Sequence, residues 1–65
     1  MTPMQRYEWA TSDEGWLTVA GWEALSRDLR RDADRLRLKG NRRLAIKADD
    51  RALDCRNRAQ RLRAA

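Results

Sequence analysis

The chain has 65 residues, a net charge of +5 from 15 Lys and Arg against 10 Asp and Glu, one cysteine and no histidine. A chain this short makes one domain with a thin core, and one thiol without imidazole excludes both an internal disulfide and a Cys/His zinc site. Self-association is the remaining aid, so the expected state is a homodimer, a four-helix arrangement in which two hairpins cover each other's apolar faces.

Residues 1–17 form an N-terminal arm. Its opening, MTPMQRYEWATSDEG, has one arginine and no apolar run, so it does not read as a secretion signal. The most apolar stretch, Trp16 to Trp22, is broken by Thr18 and Gly21 and falls short of the ~20 residues that a bilayer requires. No membrane is expected as a partner, and with the unpaired Cys55 this places the chain in a reducing cytoplasm. RYEWAT and WLTVA are short aromatic and β-branched runs around the polar SDEG, the pattern of a small β-hairpin. A helical alternative also fits. Thr2-Pro3 can start one short helix, and Ser12 with Asp13 and Glu14 can start another that runs through Gly15 into the first long helix. The extended arm is the favoured expectation, and because two strands alone are marginal it must pack on the helices or pair with a second subunit.

Residues 18–65 read as a mainly α, antiparallel two-helix hairpin, with helices at about 18–38 and 41–63. Gly40 is the expected hinge, Lys39 suits the negative end of the first helix, and Asn41 suits the cap of the second. In the first helix Trp22, Leu25, Leu29 and Leu36 make an apolar stripe with Ala33 beside it. In the second, Ala45, Ala48, Ala52, Cys55, Ala59 and Leu62 alternate in steps of three and four, the spacing of a coiled-coil seam built almost wholly from small residues. Folding back at Gly40 brings level residues whose numbers sum to about 81, so that large side chains face small ones and the helices approach closely. Ile46 and Leu53 share the outer side of the second helix, and Leu38 lies outside its own stripe; these form a second apolar surface whose cover is the arm, a second copy or a foreign protein.

Catalytic chemistry finds no purchase in the residue types. Without histidine, proton transfer near neutrality falls to a carboxylate or lysine, and the aspartates lie among arginines on helical surfaces, where ion pairing keeps them ionised. Asp49-Asp50 as a metal pair fails on geometry, because adjacent helical residues diverge by about 100°. Cys55 as a nucleophile is opposed by its place on the alanine seam, where a thiol behaves as a small hydrophobe. No phosphate-cradling loop is present. The expectation is a non-enzymatic chain without cofactor or metal.

Two readings of a binding surface remain. Charge is uneven: through Glu23 one cation stands against four acids, for −3, while from Ala24 onward fourteen cations stand against six aspartates, for +8. As a protein-interaction module the chain would use Tyr7, Trp9 and Trp16 of the arm with Leu38, Ile46 and Leu53, since tryptophan and tyrosine dominate interface energetics; the plainer alternative is that these aromatics only cap the hairpin. As a nucleic-acid or acidic-surface binder it would use Arg35, Arg37, Lys39, Arg42, Arg43 and Lys47 at the hairpin tip, with Arg56, Arg58, Arg61 and Arg63 farther along the second helix. Thirteen of the fifteen cations are arginine, which a GC-rich codon bias also produces, and an ordinary solvated face laced with ion pairs accounts for much of the pattern.

In layout, a basic hairpin of this length with a Trp-bearing arm (YEWATSDEGWLTVAGWEAL, then LKGN) resembles the small helical accessory proteins of temperate phages, some of which are dimeric anti-activators that occupy a host transcription regulator. The resemblance lies in overall arrangement and carries no site residues with it. It implies inhibition of a host protein by direct binding; the aromatic anchors and basic rim lead to the expectation of stoichiometric occlusion of an acidic or apolar groove on that protein.

Overall fold

The computed structural model describes all 65 residues as three helices: α1 (Pro3–Ala10), α2 (Val19–Leu38) and α3 (Arg42–Ala64). The molecule is mainly helical, and no residue lies in a strand. The β-hairpin expected of the arm is therefore corrected to a helix and a turn, for reasons local to the sequence. Thr2 caps α1: its hydroxyl accepts from the Gln5 amide at 3.2 Å, while the Gln5 side chain accepts from the Thr2 amide at 2.8 Å. Pro3 follows at the first helical position, where its missing N–H costs nothing. These terms act before any strand pairing can, and helical spacing then turns Met4 and Tyr7 towards the core while Trp9 stays outside. Strand alternation would have put Tyr7 and Trp9 on the same face.

The polar SDEG segment does form a turn, but it joins α1 to an extended link and not to a second strand. The Ser12 hydroxyl donates to the Trp9 carbonyl at 2.6 Å and the Gly15 amide donates to the Ser12 carbonyl at 3.1 Å. A side chain at position 15 would put its Cβ 1.8 Å from the Trp9 carbonyl oxygen, so only glycine lets the turn fold back onto α1. The helical alternative through Gly15 also fails, because α2 starts at Val19 with the Thr18 hydroxyl accepting from the Gly21 amide at 3.1 Å.

Gly40 closes α2 with φ +80°, the left-handed conformation that a glycine takes without strain. The Gly40 amide donates to the Arg37 carbonyl at 3.0 Å and the Asn41 amide to the Leu36 carbonyl at 2.8 Å, the pair of bonds that defines a Schellman ending. The chain then reverses, and α2 and α3 pack along their lengths. Leu25 and Leu29 are wholly buried, as are Ala48 and Cys55, and Ala45, Ala52 and Ala59 are nearly so. Trp22 joins them in one core cluster with Leu25, Leu29, Ala52, Cys55 and Ala59. Small residues thus accept large ones, and burial of apolar area holds the pair together. Leu62, the last member of the expected seam, is about half exposed. Ser26, the one buried polar residue, is satisfied by donating to the Ala52 carbonyl at 2.9 Å across the seam. Ion pairs cross between the helices at both ends, Arg37 with Asp49 and Arg63 with Glu23.

Helix α1 covers one side of this hairpin, which bears on the expected four-helix dimer. Met4, Tyr7 and Ala10 pack on the core cluster together with Leu17 and Val19. The arm therefore supplies within one chain part of the cover assigned to a second subunit. The opposite flank, carrying Ile46 and Leu53, stays open.

Candidate interaction surfaces

The arm is held in place by a polar cluster on its inner side. The Tyr7 hydroxyl donates to Asp54 Oδ2 at 2.8 Å, Arg58 Nε donates to the same oxygen at 2.8 Å, and Arg51 stacks its guanidinium 5.2 Å from the Tyr7 ring centre. Burial opposes ionisation of Asp54, but the hydrogen bonds from Arg58 and Tyr7, with the charges of Arg58 and Arg61, outweigh it and hold the carboxyl below its ordinary range. Tyr7 shifts the other way: burial, then its bond to Asp54, makes the phenol harder to ionise. One residue earlier, Arg6 donates to Asp28 at 2.7 Å. Tyr7, for which the sequence left open an interface anchor or a cap on the hairpin, is thus a positioning residue that fixes α1 on α3, as Arg6 does on α2.

Fixing the arm's inner side decides what its outer side presents. Trp9 remains 42% exposed and Trp16, in the link after the turn, 70% exposed. Trp9 lines a cavity of about 300 Å³ with Met1, Leu17 and Arg6, and most of its wall is apolar. Leu17 and Met1 were missed in the sequence, since only the folding back of the turn brings both beside Trp9. The arm also carries Glu8, Asp13 and Glu14, none of which makes an ion pair.

The hairpin tip lies at one end of a molecule 39 Å long. Of the six cations assigned to it, Arg35 pairs with Asp32 at 3.8 Å, and Arg37 pairs with Asp34 at 2.9 Å and with Asp49. Lys39, Arg42, Arg43 and Lys47 are exposed and unpaired. They flank Leu38, the most exposed large apolar side chain of the molecule at 90%. The positive end of α3 adds to their potential. Farther along α3 the expected basic cluster divides: Arg58 lies over the Trp22 ring and pairs with Asp54, Arg63 pairs with Glu23, and only Arg56 and Arg61 stay outside the ion pairs.

The third surface is the flank left open opposite α1. Ile46 and Leu53 project there, beside a groove of about 480 Å³ between α2 and α3 whose lining includes Arg27, Arg30, Asp50, Leu53 and Arg56. The three arginines and Asp50 have no intramolecular ion-pair partner.

Chemistry at the remaining polar groups is restrained. Cys55 is fully buried, and burial followed by the nearby Asp54 charge pushes its thiol up to about 11, which keeps it protonated and unreactive at neutral pH. No three Cys, Asp or Glu side chains converge to hold a metal ion, and no helix is long and apolar enough to cross a membrane. Comparison with known proteins found no matching family model, no matching curated protein and no matching solved structure.

Proposed function

We propose that this chain is a non-enzymatic protein-binding module that inhibits a larger protein, such as a transcription regulator, by occupying its surface in stoichiometric amounts. The observation that carries this reading is the docking of α1 through Tyr7 and Arg6, which leaves Trp9 outward beside an apolar cavity, with Trp16 exposed in the link that follows. Exposed tryptophans on an ordered scaffold lose little conformational freedom on binding, the condition under which aromatic anchors contribute most. The layout shared with phage anti-activators points the same way, towards a regulator of the host.

Affinity capture from host cells tests the proposal, using the wild-type chain beside a Trp9→Ala/Trp16→Ala variant. The expected result is one protein recovered in equimolar amount by the wild type, resistant to moderate salt and lost with the double variant. Equal recovery by both chains would contradict it.

A second reading is favoured by one observation, the four unpaired cations at the tip. Lys39, Arg42, Arg43 and Lys47 suit phosphates, and in that reading the ligand is nucleic acid, held by charge and released by salt. Capture of nucleic acid that is lost with Arg42→Glu/Arg43→Glu and kept with the tryptophan variant would establish it in place of the first.

A further inference from the structure

The flank opposite α1 is concave, partly apolar, and more positive than the chain itself neutralises. We infer that the groove between α2 and α3 takes an amphipathic helix of a partner protein, one whose apolar stripe is bordered by carboxylates. This site goes beyond the proposed reading, which rests on the tryptophans of the arm, and has its own chemistry.

The concavity has a local cause. Ser26 and Ala52 meet across the seam there, two small side chains between longer ones, and the Ser26 hydroxyl already donates to the Ala52 carbonyl at 2.9 Å. The floor of this groove of about 480 Å³ therefore holds no hydroxyl that a partner must satisfy. Leu53, 58% exposed, stands on the α3 wall, and Ile46, 61% exposed, continues its line two turns towards the tip. Seven residues of helix rise about 10.5 Å. A partner helix repeats its apolar positions at that interval, so one stripe meets both side chains. A helical rod about 10 Å across also fits a trench between two helices, where a flat surface does not.

Charge sets the chemistry of the borders. Arg27 and Arg30 are exposed on the α2 wall and Arg56 on the α3 wall, and none has an ion-pair partner within the chain. Of the three acids along the groove, Glu23 is bound by Arg63 and Asp49 by Arg37, which leaves Asp50 alone. Three unpaired cations less one unpaired carboxylate give +2. Arg27 and Arg30 share one face of α2, and carboxylates three or four residues apart on a facing helix match their interval. A nucleic-acid backbone would satisfy the arginines but set phosphates against Ile46 and Leu53. A basic helix would meet three unpaired guanidinium groups.

Fluorescence anisotropy of stapled helical peptides of about 15 residues, titrated with the full chain, tests this. The probe carries leucine at alternating three- and four-residue steps with glutamate on both borders, and its control carries lysine in place of glutamate. The wild type is expected to bind the glutamate peptide below about 1 mM, and the lysine peptide at least about tenfold more weakly. Arg27→Glu/Arg30→Glu replaces exposed side chains, so its helical circular dichroism spectrum should be unchanged while its preference between the peptides reverses. Leu53→Ser is expected to weaken binding at least about fivefold, whereas Trp9→Ala/Trp16→Ala and Arg42→Glu/Arg43→Glu should stay within about threefold of the wild type. Because the tryptophan variant keeps this site, its outcome is independent of the capture experiment. No binding of the glutamate peptide up to about 1 mM, a preference that survives Arg27→Glu/Arg30→Glu, or binding lost at the tip instead would overturn the inference. So would a DNA duplex held through Arg27 and Arg30 in place of the peptide, or a wild-type dimer that Leu53→Ser dissociates and the peptide does not.

Discussion

At Ala52 the seam admits a methyl group and nothing larger, with the side chain packed away from water and the backbone carbonyl engaged by Ser26. Ala52→Leu should therefore overpack the helices and cost ~1–3 kcal/mol, read as a fall in melting temperature; an unchanged melting temperature would contradict the register. The Tyr7–Asp54 contact makes stability depend on pH at both extremes. Asp54 has a lowered folded pKa, so its contribution is complete above the ordinary carboxylate range and is lost as pH falls through the folded value, below about pH 4. Tyr7 has a raised folded pKa, so its contribution is complete below about pH 10 and is lost as pH rises through the folded value. Tyr7→Phe should cost about 1 kcal/mol and remove the alkaline loss while leaving the acid one largely in place, which melting curves across pH will report. Cys55, sealed in the core with its thiol pushed up to about 11, should resist a thiol reagent at pH 8 and react at once in denaturant. Fast labelling of the native chain would mean that the seam opens.

Among the elements, α2 and α3 were legible in the sequence because their signals agree: a glycine between two amphipathic stretches, leucines at helical steps on one side, alanines at three-four steps on the other. Replacing Gly40 by Ala should cost roughly 1 kcal/mol, since its φ of +80° is unfavourable for any residue with a Cβ. Helix α1 was read less well. The aromatic and β-branched runs of the arm, RYEWAT and WLTVA, favoured strands, and the Thr2–Gln5 capping box that decides the matter occupies only the first few residues. The place of Gly15 could not be read at all, because the contact that demands it, with the Trp9 carbonyl, exists only after the turn has folded back. The outward positions of Leu38, Ile46 and Leu53 followed from their lying off the seam. Which arginines are left free did not follow, since Arg37–Asp49 and Arg63–Glu23 join residues on different helices.

For the whole molecule, the distribution of unpaired groups sets the function proposed. One side is closed by α1, whose arm carries the exposed tryptophans and unpaired acids, one flank is open and mixed in charge, and the hairpin tip carries Leu38 among unpaired cations. That division exists only if the arm is a helix seated on the hairpin; a loose arm would leave Trp9 and Trp16 without fixed positions, and the side now covered would be bare. Nuclear Overhauser contacts in the labelled chain measure this most directly. Cross-peaks are expected from the Tyr7 ring to Arg51 and Arg58, with sequential helical contacts through residues 3–10. Strand-type contacts in the arm, or a Tyr7 ring without contacts to α3, would contradict it.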